Sequence, residues 1–304
     1  MATTLKKTST ASIAMAVFVA LACIGTLVIS WTFSSSLMYP SYQCTEEHFL
    51  YCGDPSQLQL DFENVVFSSD DGIDLSGWYI PAPDSSKVII FVHGHGADRH
   101  EGMRWFTSVH TAGFNILAFD LRNSGQSGGD FSSMSYFERQ DVIAAVDFLQ
   151  NEKDLESIGV FGTSMGAVTS IMAMDQDPRI SAGVFEAGWA NLEDLLSEVF
   201  SKYVGLPRVP FLSFTTWLFQ FRSGVDMTAV NPETVVANIA PRPVFIIHCE
   251  GDELINISHG ERNFSAAQQP KDYWRSPCDV HARAWQSAPK YIEARVTEYF
   301  LQYL

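Results

Sequence analysis

A chain of 304 residues that is 46% hydrophobic, 13% aromatic and only 18% charged has the apolar content for a large folded core, which excludes an intrinsically disordered protein. The formal net charge is −16 and the lysines and arginines are scattered rather than striped, so nothing forms a track for a phosphate backbone and no nucleic-acid partner is expected. The length allows one large α/β domain, and no repeat or low-complexity run divides it.

The first element is the stretch from Ala11 to Trp31, 21 residues without an ionisable acid or base, preceded by Lys6 and Lys7. About 20 such residues cross a bilayer as a helix. A cleaved signal peptide would have a shorter apolar region ending in a small-x-small site, yet this run continues to Ile29 and Trp31 before reaching Ser34-Ser35-Ser36. A lipoprotein signal would use Cys23, but the run continues past it and Ala20 stands where leucine is preferred. The stretch therefore reads as an uncleaved transmembrane anchor over 11–31, with residues 1–10 cytoplasmic, a juxtamembrane segment over 32–60 and the main domain over 61–304. Lysines before a span favour a cytoplasmic N-terminus, which places the main domain on the extracytoplasmic side. Beyond Cys23 there are four cysteines, an even count that suits an oxidising compartment. The expected pairs are Cys44 with Cys52 and Cys249 with Cys278; four reduced, buried thiols are the alternative.

Next, Asn64–Phe67 and Leu75–Ile80 flank an Asp-Gly turn at Asp71-Gly72 and read as an antiparallel hairpin. Continuous apolar runs follow at Lys87–Val92, Asn115–Phe119, Ile158–Phe161, Ala182–Phe185 and Pro243–Ile247, the pattern of strands buried on both faces. Helical spacing separates most of them, as at Val142, Ala145, Val146 and Leu149. Such alternation predicts a mostly parallel sheet covered by helices on both sides. After Pro289, a last helix places Ile292, Val296, Tyr299, Phe300 and Tyr303 on one face.

One segment breaks the rhythm. Between about 189 and 230 the chain carries Phe200, Tyr203, Phe211, Phe214, Trp217, Phe219 and Phe221, punctuated by Pro207 and Pro210. This insertion reads as a small helical cap over a cleft, which would exclude water and favour an apolar substrate group. The alternative is that its aromatics only pack on the main domain.

The chemistry centres on Gly162-Thr163-Ser164-Met165-Gly166, set between an apolar strand and a helical pattern. Glycine-flanked backbone can make the sharp strand-to-helix turn that presents a serine hydroxyl as a nucleophile. A serine needs an adjacent base, itself oriented by a carboxylate. Asp252 lies just past a strand end on a glycine-bearing loop, and His281 follows after enough chain for one helix and one further strand, which makes Ser164, Asp252 and His281 the candidate triad. Glu250, Glu253 and Glu186 are rival carboxylates, and His248 and His259 read as structural. An oxyanion needs two N–H donors, one from the residue after the nucleophile and one from the loop after an earlier strand. Met165 and His95, in His93-Gly94-His95-Gly96, are the candidates. His93, His95 and His100 have no accompanying cluster of acids or cysteines, so neither a metal nor a cofactor is expected.

Together, the strand leading to His93-Gly94-His95-Gly96, the segment Asp120-Leu121-Arg122-Asn123-Ser124-Gly125-Gln126-Ser127, the turn at Ser164, the Asp252 loop and His281 resemble the α/β-hydrolase superfamily. With its anchor and opening hairpin, the chain is similar to membrane-anchored serine hydrolases of that superfamily over roughly residues 60 to 304. The resemblance implies the α/β-hydrolase fold, an eight-stranded, mostly parallel sheet, and a Ser-His-Asp mechanism. Two departures are Asn123-Ser124, where the family often has Arg-Gly-His, and Cys249, where glycine is frequent. The expected activity is hydrolysis of a small-molecule carboxylic ester or thioester through an acyl-enzyme. A serine peptidase on the same triad is the nearest alternative, and a non-catalytic, membrane-tethered binding module is the alternative outside enzymes.

Overall fold

The computed structural model describes residues 10–42, 44–205 and 208–304; Lys6, Lys7 and Pro207 lie outside the described residues. Eight strands form one sheet: β1 (Glu63–Ser68), β2 (Asp74–Ile80), β3 (Lys87–Val92), β4 (Asn115–Phe119), β5 (Ser157–Thr163), β6 (Ile180–Glu186), β7 (Val244–Cys249) and β8 (Lys271–Ser276). Their order is β1-β2-β4-β3-β5-β6-β7-β8. The β1/β2 and β2/β4 pairs are antiparallel and the rest parallel. The early helices are α1 (Thr10–Met38), the single turn α2 (Glu46–Phe49), α3 (Met103–Thr111), α4 (Glu138–Lys153) and α5 (Met165–Gln176). The later ones are α6 (Leu192–Tyr203), α7 (Ser213–Ser223), α8 (Pro232–Val235), α9 (Ile257–Ala266), α10 (Ala284–Ser287) and α11 (Pro289–Tyr303). This is the α/β-hydrolase architecture.

Strand period two explains why the inner runs are apolar throughout. Val88, Ile90 and Val92 of β3 enter one core with Leu117, Val160 and Ile171, while Ile89 and Phe91 enter the other with Ile116, Phe161 and Phe245. Each such side chain, fully buried, stabilises the fold by about 1.5–3 kcal/mol relative to exposure. The second core is closed by α11, whose Ile292, Val296, Tyr299 and Phe300 are buried as their spacing predicts.

The N-terminal helix runs on past Trp31 to Met38. The serines that suggested a break are absorbed because Ser34 Oγ donates to Trp31 O (3.2 Å) and Ser36 Oγ to Phe33 O (2.8 Å). From Ala11 to Ile24 the residues are exposed, whereas Ser30, Ser34 and Met38 are buried against the main domain. The helix is long and apolar enough over 11–38 to cross a membrane. Both expected disulfides are present, Cys44–Cys52 and Cys249–Cys278.

The aromatics of the insertion divide between core and surface. Phe200 and Phe219 are buried in the core, whereas Tyr203 (61%), Trp217 (53%) and Phe221 (74%) are exposed. Its aromatics therefore serve two surfaces rather than one.

Candidate active site

Ser164 sits between the end of β5 and the start of α5, at φ 54° and ψ −118°, a conformation an L-residue adopts only when its surroundings impose it. Its N–H donates to Glu186 O (2.8 Å), which ties the turn to β6. The glycines on either side are there because backbones nearly touch. A Cβ on Gly162 would lie 2.3 Å from Gly166 O, and one on Gly166 would lie 2.0 Å from Val92 O. Ser164 is thereby lifted above the sheet, half-buried at the C-terminal ends of the parallel strands.

The structure brings His281 and Asp252 to this serine. Ser164 Oγ–H donates to His281 Nε2 (2.8 Å), and His281 Nδ1–H donates to Asp252 Oδ2 (2.8 Å). Asp252 is buried, and its other oxygen accepts from Leu254 N and Ile255 N, both at 2.9 Å. Burial pushes the Asp252 carboxyl up, but the hydrogen bond and charge of His281, with the Ile255 N–H, outweigh it and hold the pKa below the ordinary carboxylate value. A carboxylate so fixed keeps the imidazole proton on Nδ1 and leaves Nε2 free to take the serine proton.

The rival acids are engaged elsewhere. Glu250 and Glu253 are exposed, the former 3.5 Å from Arg275. Glu186 is buried, paired with Arg104 Nη2 (3.1 Å), and accepts from Ala284 N (3.1 Å), so it pins the chain just after His281 rather than the imidazole itself. His248 Nε2–H donates to Ile255 O (2.8 Å), and His259 Nδ1 accepts from Ala190 N (3.1 Å); burial lowers the pKa of both. These two histidines buttress the acid's loop and the start of the insertion.

On the oxyanion side, Met165 opens α5, so its N–H is one of those a helix leaves without an intrahelical acceptor. The loop after β3 passes directly over the turn: a Cβ on Gly94 would lie 3.1 Å from Ser164 Cβ. Gly94 N–H donates to buried Glu101 Oε2 (2.7 Å), and burial raises that carboxyl above its ordinary range. His93 Nε2 accepts from Leu121 N (2.9 Å), and His100 Nδ1 meets Asp98 (2.7 Å), so these histidines hold loops. His95 points to the N-terminal helix, where its Nε2–H donates to Leu37 O (2.9 Å). Asn123 Nδ2 and Ser132 N likewise donate to Met38 O, at 3.1 and 2.8 Å. The carbonyls that α1 leaves open at its C-terminus are thus satisfied by the loops around Ser164.

Sequence reasoning missed this joint and Arg104, because their partners are remote in the chain, and it missed Glu101, whose bond to Gly94 N seven residues earlier follows no helix or strand period. The loop containing Asp120 enters the sequence reading only through the resemblance. Asp120 there accepts from Arg99 N, Nε and Nη2 and from Gln126 N at 2.8–3.1 Å, bracing the segment that follows His95.

Cys249–Cys278 joins the base of the acid's loop to the segment entering the histidine's loop, across 29 positions. Cross-linking a loop of that size stabilises a fold by about 3–4 kcal/mol. The double variant Cys249→Ala/Cys278→Ala should lose that amount in denaturant unfolding, and an unchanged midpoint would show that the bridge constrains nothing.

Comparison with known proteins places these features in context. The profile of the serine aminopeptidase, S33, family matches residues 83–236. The uncharacterized protein YqkD of Bacillus subtilis is 27% identical over 230 residues, 75% of each chain. The α/β hydrolase domain-containing protein WAV2 of Arabidopsis thaliana is 23% identical over 249 residues, 77% of this chain and 76% of that one. Among solved structures, the Pyrococcus furiosus esterase Pf2001 superposes with a TM-score of 0.69 at 25% identity, over 83% of this chain and 96% of the esterase.

Proposed function

Because the chain belongs to the serine aminopeptidase, S33, family of α/β hydrolases, we propose that it is a membrane-anchored serine hydrolase that cleaves carboxylic esters or thioesters with Ser164, His281 and Asp252. The observation that carries this reading is the unbroken hydrogen-bond chain from Ser164 Oγ through His281 to Asp252, each link 2.8 Å, on a serine held at positive φ. His281 Nε2 takes the Ser164 proton as Oγ bonds to the substrate carbonyl carbon and the carbonyl π pair moves onto oxygen. The Met165 and His95 N–H groups receive that oxyanion. The intermediate collapses, the bond to the leaving oxygen or sulfur breaks, and Nε2 returns the proton to the leaving group. Water, deprotonated by the same nitrogen, then attacks the acyl carbon; the Oγ–acyl bond breaks, Nε2 returns the proton to Ser164 Oγ, and the acid is released.

The esterase neighbour supports an ester substrate. The family's own description favours a second reading, an aminopeptidase acting through the same residues. A series of p-nitrophenyl esters of increasing chain length, run against aminoacyl p-nitroanilides, separates the two. Ester turnover with a higher kcat/KM than any anilide is expected; preference for the anilides overturns the esterase reading.

The anchor reading is supported by the joint between α1 and the main domain. A cleaved leader has no reason to be capped by His95, Asn123 and Ser132 at its C-terminal end or packed through Phe33 on Phe200 (5.4 Å). Two disulfides suit an extracytoplasmic location of the main domain.

A further inference from the structure

The outer face of the insertion is mostly apolar, and none of the described residues covers it. From Val209 to Phe221 there is no ionisable acid or base, and an arginine stands at each end, Arg208 and Arg222. Within this stretch Leu212, just before α7, and Thr215, Leu218 and Phe219 of α7 turn inward, whereas Val209 (71%), Trp217 (53%) and Phe221 (74%) are exposed. Phe214, Trp217 and Phe221, spaced i, i+3, i+7, stack in a ladder with centroids 5.3 and 5.6 Å apart. Both threonine hydroxyls are satisfied within the segment, Thr215 Oγ1 on Phe211 O (2.9 Å) and Thr216 Oγ1 on Ser213 O (3.1 Å), which leaves Ser213 and Gln220 as its exposed polar side chains. Hydroxyls bonded back to their own helix no longer need water.

Where this face lies along α1 identifies its occupant. Pro210, Phe211 and Phe214 line a groove with Phe18, Ala22 and Thr26, residues in the middle of the apolar stretch 11–31. At the other end of α7, the Arg222 guanidinium lies 4.1 Å over the Trp31 ring and 5.8 Å over Tyr39, and Nη1 donates to Ser34 Oγ (2.5 Å) and Ser35 Oγ (3.0 Å). Trp, Tyr and a snorkelling Arg together mark a membrane–water boundary. Counted from Trp31 at 1.5 Å per residue, Thr26 and Ala22 lie about 8 and 14 Å deep, within one half of a hydrocarbon core about 30 Å thick, and Phe18 lies just past the midplane.

We propose that the segment from Val209 to Phe221 is embedded in the same bilayer leaflet that α1 enters, with Arg222, Trp31 and Tyr39 at the headgroup level. The insertion is then a second, monotopic membrane contact rather than a lid lying in water. The inference rests on reading α1 as a membrane span. It adds that the loops around Ser164 stand just above the lipid surface, since His95 meets α1 at Leu37, six residues and about 9 Å of helix beyond Trp31. A substrate drawn from the membrane would reach the serine without crossing bulk water.

The experiment uses the full chain in phosphatidylcholine nanodiscs, with and without lipid brominated on the upper acyl chain. The difference in fluorescence between the parent and Trp217→Phe isolates Trp217, and that between the parent and Trp31→Phe isolates Trp31. Both contributions are expected to be quenched several-fold by the brominated lipid and little by aqueous iodide. If Trp31 is quenched by lipid and Trp217 by iodide, the insertion faces water and the proposal is overturned. If Trp217 is shielded from both quenchers, a protein covers the face, which overturns it equally. If Trp31 itself is not quenched by lipid, the span reading fails first, and this inference with it. No outcome depends on catalysis, so the assignment of Ser164 stands apart.

Discussion

Ser164→Ala is expected to lower kcat for any accepted ester by about 10⁵–10⁶-fold and to abolish labelling by a fluorophosphonate probe, while the thermal transition stays where it was. The size follows from what the hydroxyl does. It is the only atom in the hydrogen-bond chain that forms the covalent bond, and removing it leaves just the oxyanion donors and binding, which retain about 10³–10⁴-fold over water in serine proteases of known behaviour. Stability is not at risk, since the hydroxyl's hydrogen bond goes to His281 and the turn is held by main-chain bonds, Ser164 N to Glu186 O and Ala167 N to Ser164 O. A companion variant sharpens the reading. Ser164→Gly removes the hydroxyl and also the Cβ that makes φ 54° costly, so it should unfold at a higher midpoint than Ser164→Ala by about 1 kcal/mol. Equal probe labelling of parent and Ser164→Ala would move the nucleophile to another residue.

Much of this site is legible because its signals are local. Gly162 and Gly166 announce a close approach of backbones, and the apolar runs of β3 to β7 can only be strands covered on both faces. The eighth strand was placed only as a requirement of spacing. Lys271–Ser276 reads Lys-Asp-Tyr-Trp-Arg-Ser and lies at the sheet edge, pairing only with β7, so its partly exposed side chains show no apolar run. The charges beneath the site were illegible for another reason. Arg104 and Glu186 are 82 positions apart, and no periodicity encodes a contact made only by the fold. The same holds for the end of α1. A stretch without charges announces a membrane helix, but nothing in Leu37 or Met38 announces that their carbonyls will be met by His95, Asn123 and Ser132.

Asp252→Asn is the variant that tests the acid, and kcat should fall by about 10⁴-fold with the fold retained. An asparagine can still lie against His281, but it offers an amide N–H where a carboxylate oxygen was, so the imidazole is driven to the tautomer protonated on Nε2, which cannot accept from Ser164. Glu250→Gln and Glu253→Gln should leave kcat within about two-fold, because both side chains are exposed to solvent and neither is bonded to His281. Glu186→Gln would act differently, through the Ala284 N–H and Arg104, and would show as lost stability more than as a changed pH profile. The pH dependence of stability carries the same assignment. The folded pKa of Asp252 lies below its unfolded value, so the ionised carboxylate contributes stability that is complete above the ordinary carboxylate range and is lost as pH falls through the depressed value. Asparagine has no such titration. The stability difference between parent and Asp252→Asn should therefore be largest near neutral pH and shrink on acidification below about pH 4. A difference constant across that range would mean that Asp252 is not the ionised partner of His281, and the acid would have to be sought elsewhere on the same loop.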